Sequence, residues 1–217
     1  MRSKNSILFL LTLCLVFASA CQRRVAATEP TKMNPQFTVA VAPFTVAHEN
    51  WDLLTGYMPD KVTSPKADAL IDLDDALFKA MHVTPERNVI AGAKAKSCVD
   101  SVHRSPDQSR TTTLKYWQEV GKCLDAQYLL VPIVVNWKER EGSAVGSTSP
   151  AWVILDLYLI NVKTGGLVNH FHYDYQQQPL TDNILDMDKF LKRRGQWVTA
   201  TDLAREGMEK GLKELGL

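Results

Sequence analysis

The sequence predicts one α/β domain over residues 37–217, three-layered, with a mixed sheet of about five strands. The expected order is two βα units, then an antiparallel meander, then a C-terminal helix. Three observations predict it. Short β-rich apolar runs alternate with helical patterns in the first half, three long apolar runs follow one another from Gln127 to Tyr175, and an amphipathic pattern closes the chain. Composition agrees: 217 residues, 45% of them hydrophobic, with 25 Lys+Arg against 24 Asp+Glu. That balance excludes a disordered chain and a small disulfide scaffold. A formal charge of +1 also argues against a nucleic-acid partner, whose phosphates call for a basic excess.

The first strand is FTVAVAPF, Phe37 to Phe44, apolar enough to be covered on both faces and ended by Pro43. His48 to Thr63 is irregular but carries Trp51, Leu54, Tyr57 and Met58. Either these pack back on the domain or they form a partner-binding surface. Ser64-Pro65 reads as a helix start, and Leu70, Leu73, Leu77 and Met81 recur at helical spacing opposite Asp68, Asp72, Asp75 and Lys79. Arg87 to Ala91 is a brief second strand, and Ala93 to Val102 a short helix carrying Cys98. Thr113 can cap a further helix in which Leu114, Trp117, Val120 and Leu124 share a face, with Cys123 near its end.

The meander comprises Gln127 to Lys138, Ala151 to Val162 and Leu167 to Tyr175. Pro132 removes one ladder donor, which favours a sheet edge or a bulge at that point. Glu139 to Pro150, with its Gly and Ser, is expected as a mobile hairpin loop, and Lys163-Thr164-Gly165-Gly166 as a tight turn. Helices are expected around Asn183 to Arg193 and from Thr201 to Leu215, the latter capped by Thr199 or Thr201. In that last helix Gly207 and Gly211 lie one turn apart, allowing close backbone approach.

Residues 1–20 read as an export signal: Arg2 and Lys4, then eleven residues from Ile7 to Phe17 with only Thr12 polar, then Ala18-Ser19-Ala20. Eleven residues are too few to span a bilayer, which takes about 20. Because Cys21 follows directly, the segment resembles the bacterial lipobox, in which that cysteine becomes the acylated N-terminus. Ala18-Ser19-Ala20 also fits an ordinary signal peptidase, which would leave the thiol free. Cysteine parity bears on the choice. Cys14 leaves with the signal, and if Cys98 and Cys123 pair in an oxidising periplasm, Cys21 is the odd one out, which acylation explains. The alternative for Cys98 and Cys123 is two free buried thiols. Residues 21–36 are expected as a flexible lipidated tether, and more than one acyl chain on Cys21 gives stable membrane anchoring. By resemblance to bacterial sorting rules, Gln22 in the second mature position implies the outer membrane's periplasmic face.

Three phrases, VAVAPF, CLDAQYLLVPIV and LDLYLINVKTGGLV, resemble the periplasmic lipoprotein group that includes the curli secretion lipoprotein and the outer-membrane activators of penicillin-binding proteins. The resemblance covers most of residues 37–217. It implies a small α/β domain that binds another envelope protein and brings no catalytic residues with it. Neither His48 to Thr63 nor FLKRRGQW matches a motif of that group, and the polar linker from Glu139 to Pro150 is no membrane hairpin.

For chemistry, the pattern to weigh is His170-x-His172-x-Asp174, since alternate strand residues share a face and two imidazoles with a carboxylate suit zinc or iron. It supports a rival reading as a metal-binding protein or metal-dependent enzyme. The other readings are a polar strip facing solvent or a partner, with Leu167, Phe171, Tyr173 and Tyr175 on the buried side, and buried histidines satisfied within the domain. No nucleophile elbow, Walker loop, dinucleotide fingerprint or HExxH occurs, and no cofactor is expected. The basic cluster Lys192-Arg193-Arg194 beside Trp197 reads as a charged helix end.

Overall fold

The computed structural model describes residues 31–82, 87–143, 147–177 and 196–217. The expected export signal, Cys21, the start of the expected tether, the expected helix around Asn183 to Arg193 and the basic cluster Lys192-Arg193-Arg194 lie outside the described residues.

Strands β1 (Val39–Val41), β2 (Thr45–Val46), β3 (Val89–Ile90), β4 (Tyr128–Lys138), β7 (Trp152–Asn161) and β8 (Gly166–Gln176) form one mixed sheet in the order β3-β1-β4-β7-β8, with β2 continuing beside β4. The helices are α1 (Ala67–Met81), α2 (Ala93–Ser101), α3 (Arg110–Cys123) and α4 (Ala200–Glu214). β1 pairs in parallel with both β3 and β4, while β4, β7 and β8 pair antiparallel. This is the expected α/β order of two βα units, a meander and a closing helix.

The topology accounts for the layering. The path from β1 to β3 through α1 runs one way across the sheet, and the path from β3 to β4 through α2 and α3 runs back. Crossovers of one hand taken in opposite directions place their helices on opposite faces. Leu73 and Leu77 of α1 therefore join Leu203 and Met208 of α4 against Leu130, Leu155 and Leu157 on one face. Trp117 and Val120 of α3 join Ala95 of α2 against Leu129, Val131, Ile154 and Ile160 on the other.

The first predicted strand is split. Ala42-Pro43-Phe44 interrupts it, and the break faces Pro132 of β4. Ala42 donates to the Leu130 carbonyl and Ala47 to the Val134 carbonyl, both at 2.9 Å. With the strand period of two, the position of the missing Pro132 N–H faces the same side, where neither β1 nor β2 pairs with it. β4 is thus central, not the edge that the proline suggested, and its bulge falls at Val134/Asn136.

Local details also differ. Ser109, not Thr113, caps α3, in a reciprocal capping box with Thr112. α1 begins at Ala67 behind Lys66, with no side-chain cap, so Ser64 does not start it. Thr199 caps α4 together with Asp202, as one of the two expected alternatives. Part of the expected Glu139 to Pro150 loop is a short hairpin, with β5 (Glu141–Gly142) paired to β6 (Ser147–Ser149). The Met33 amide donates to the Gly216 carbonyl at 2.9 Å, so the end of the expected tether is joined to the C-terminus of the domain.

Cys98 of α2 and Cys123 of α3 are disulfide-bonded across a sequence separation of 25. On the chain-entropy account, closing such a loop stabilises the fold by about 3 to 4 kcal/mol. It staples the two short helices that cover one face. On the other face α4 approaches the sheet through its glycines. A Cβ on Gly211 would meet Leu157 Cδ1 at 2.5 Å and Phe171 Cδ1 at 2.6 Å, and one on Gly207 the Tyr173 ring at 2.7 Å. Gly211→Ala should therefore destabilise the protein by roughly 1 to 3 kcal/mol through overpacking, although alanine gains about 1 kcal/mol in helix propensity. A urea midpoint equal to or above that of the parent would contradict this docking.

Candidate functional site

β7 is apolar on both faces except at one position. Asp156 interrupts the series Ile154, Tyr158, Ile160 that faces α3, and its side chain is only 3% exposed. A carboxylate there is costly unless it is paired. β8 supplies the partners: His172 lies directly opposite Asp156 in the antiparallel register, and His170 lies one same-face position away, opposite Tyr158. His170 Nε2 and His172 Nδ1 meet the same carboxylate oxygen, Oδ1, at 2.7 and 2.8 Å. Both rings are more open than the aspartate, at 24% and 50% side-chain exposure.

Electrostatics follow from this geometry. Burial by itself raises the Asp156 carboxyl, but hydrogen bonds and charge from both imidazoles outweigh it and hold the group below its ordinary value. The hydrogen bond to Asp156 pushes His172 up, against some desolvation and with help from the charges of Asp156 and Asp174. Tyr158, beside the carboxylate, is pushed well above a normal phenol by burial first and by Asp156 second.

The loop from His48 to Thr63 lies over the same face. Leu53 is 1% exposed in the core, while Leu54 and Met58 are partly buried against it. The Trp51 carbonyl accepts from Thr113 at 2.7 Å. Arg110, at the start of α3, donates to the carbonyls of Asn50 and Gly56, and its guanidinium sits 5.1 Å from the Tyr57 ring centroid. Gly56 at φ +79° supplies the turn that turns Tyr57 outward. Of the four residues read as a partner surface, Trp51, Leu54 and Met58 are half-buried and Tyr57 is 81% exposed.

Loop and histidine cluster are joined at Thr55. Its Oγ1 lies 3.0 Å from His170 Nδ1, and its carbonyl accepts from the Tyr158 hydroxyl at 3.1 Å. The Tyr158 ring in turn stacks on His170, centroids 4.5 Å apart and planes 12° from parallel. His170 is therefore oriented by three neighbours.

The expected trio is only partly brought together. Asp174 shares the face but accepts from the Trp152 indole at 2.7 Å, and Asp156 is the carboxylate in contact with both histidines. Phe171 and Tyr173 are buried on the opposite side as expected. Leu167 is not, because a register shift between Leu159 and Ile160 of β7 turns it to the α3 side. The missed residues are Asp156, Thr55 and Arg110. A lone charge inside AWVILDLYLINV is the sequence signal for the first. Nothing local marks the other two.

No protein-family model matches the chain, and no curated protein does. Similar solved structures include the PelC dodecamer of Paraburkholderia phytofirmans, 15% identical, with a TM-score of 0.49 over 87% of this chain and 94% of that one. A lipoprotein of Neisseria meningitidis is 8% identical, with a TM-score of 0.42 over 73% and 97%. The LpoB C-terminal domain of Salmonella enterica is 13% identical, with a TM-score of 0.40 over 68% and 88%. All of these are likenesses at low sequence identity. Among the described residues no helix is long and apolar enough to cross a bilayer.

The cluster predicts an asymmetric response to truncation. Replacing both His170 and His172 by Ala strands a buried carboxylate and should cost about 3 to 5 kcal/mol, whereas Asp156→Asn leaves two accessible imidazoles and should cost about 1 to 3 kcal/mol. Urea denaturation at neutral pH with a chelator present measures both. Equal costs would mean that the aspartate does not depend on its partners.

Proposed function

We propose that the protein is a non-enzymatic bacterial outer-membrane lipoprotein, anchored through acylated Cys21, whose periplasmic domain binds another envelope protein in envelope assembly, secretion or wall synthesis. The observation that carries this reading is the pairing of Cys98 with Cys123. A structural disulfide belongs to an oxidising compartment, in keeping with the export signal. It also leaves Cys21, directly behind that signal, as the odd cysteine of the processed chain. Lipidation accounts for that thiol, and more than one acyl chain anchors the protein stably. Gln22 supports the outer membrane over the inner.

The binding role is supported by how Tyr57 is presented. A tyrosine offers a large amphipathic contact at low entropic cost, and tyrosine and arginine dominate the energetics of protein interfaces. Here both occur together: the ring is exposed, and Arg110 beneath it is tied to two loop carbonyls. Trp51, Leu54 and Met58 of the same loop are half-buried, so the partner surface is smaller than the whole loop. The hairpin from Glu139 to Pro150 is the second choice.

Two measurements test the reading separately. Cys21→Ser should move the protein from the membrane to the soluble periplasmic fraction; continued sedimentation with membranes would remove the tether. Tyr57→Asp, on an exposed side chain, should leave thermal stability unchanged within about 0.5 kcal/mol. It should abolish the crosslinked species formed in whole envelopes, and unaltered crosslinking would remove Tyr57 from the interface.

A further inference from the structure

We propose that Asp156, His170 and His172 bind a divalent transition-metal ion of the zinc class, with the ion bracing the loop that carries Tyr57. Three groups of the right chemistry converge. The carboxylate oxygen of Asp156, Nε2 of His170 and Nδ1 of His172 all lie within 4.8 Å of one another. Two imidazoles with one carboxylate form a common zinc and iron donor set that leaves coordination positions open to water or to another ligand. Ligand bonds of about 2.1 Å put neighbouring donors in a tetrahedral site about 3.4 Å apart. The two N···O separations of 2.7 and 2.8 Å therefore need to open only by fractions of an ångström. His172, at 50% exposure, has room to give way.

The ion would take the place of hydrogens. Each ring nitrogen that now faces Asp156 Oδ1 is within hydrogen-bonding distance of an ionised acceptor, and one divalent cation between the three groups replaces those N–H hydrogens. In a neutral ring the displaced hydrogen passes to the other ring nitrogen, which then needs an acceptor. The surroundings are of the kind that orients a ligand. Thr55 Oγ1 lies at His170 Nδ1, the nitrogen turned away from the carboxylate, and can accept its hydrogen and fix the tautomer. Tyr158 stacks on the same ring and also holds Thr55 through its hydroxyl. The Asp174 carboxylate lies on the same face and adds negative charge near His172. The site also accounts for a charge that packing alone does not favour, in the middle of a strand flanked on both sides by Val, Ile, Leu and Tyr.

Because Thr55 is two residues from Tyr57, an ion that fixes His170 restrains the exposed tyrosine as well. The proposal does not depend on lipidation or on a protein partner. Its test uses the untagged full chain in detergent, stripped with a chelator, dialysed and titrated with Co2+ while visible absorption is followed. Calorimetry with Zn2+ runs in parallel. Saturation at one ion per chain and displacement of Co2+ by Zn2+ are expected. His172→Gln, on a half-exposed side chain, should abolish the absorption band, as should Asp156→Asn. Thr55→Val should weaken binding by about 10- to 100-fold. Asp174→Asn removes a nearby charge but no ligand, so the absorption band should persist. No absorption beyond that of the free ion overturns the site, as does a band that survives His172→Gln. Loss of the band in Asp174→Asn with retention in Asp156→Asn would also overturn it. If Asp156→Asn does not fold, judged by circular dichroism, the His172→Gln result decides alone.

Discussion

The adjacent strands β4 and β7 are apolar on both sides, and the rest of the structure answers that constraint. Leu129, Val131 and Ile133 point one way while Leu130 and Val134 point the other, and β7 repeats the pattern with Ile154 and Ile160 against Leu155, Leu157 and Leu159. Such strands cannot face water on either side, so helices must cover both. The reversal of direction between the β1-to-β3 and β3-to-β4 paths supplies this cover without a left-handed connection. The Cys98–Cys123 bond holds one layer together, and the glycines of α4 bring the other close to the sheet.

Within that dry pair Asp156 is the one buried carboxylate, and the site is built around its need for partners. A buried carboxylate must find donors, and the only side chains that reach it from β8 on this face are those in register, His170 and His172. Once His170 is placed, Thr55 and Tyr158 connect it to the loop from His48 to Thr63. The same loop is pinned at its other end by Arg110 and Thr113 of α3. An exposed aromatic thus stands on a scaffold joined to both the sheet and a helix. That combination suits a binding surface, because little order remains to be imposed when a partner arrives.

Element type was legible wherever the period of apolar residues was long. The meander strands, the stripe Leu73, Leu77, Met81 of α1 and the close approach at Gly207 and Gly211 all follow from sequence patterning. Caps and breaks were less legible. Ser109 and Thr113 are equally good cap residues in isolation, and only the placement of α3 against Trp51 and Val162 chooses between them. Pro132 carries a clear local signal, but its consequence depends on the neighbouring strand: the break at Ala42-Pro43-Phe44 accommodates it in the middle of the sheet.

The sequence by itself determined which residues seek the interior, which pair of histidines shares a strand face, and that Cys21 directly follows an apolar run and three small residues. These are statements about single segments, and the periods of 2 and 3.6 residues carry them. Tertiary structure alone decided that Asp156, and not the nearer Asp174, meets both histidines, and that of Trp51, Leu54, Tyr57 and Met58 only Tyr57 stands out. The reason is register. Asp156 and His172 are 16 residues apart in the chain, Thr55 and His170 are 115 apart. Such pairs become neighbours only when strand pairing and layer packing have fixed every segment between them, and no local pattern encodes that alignment.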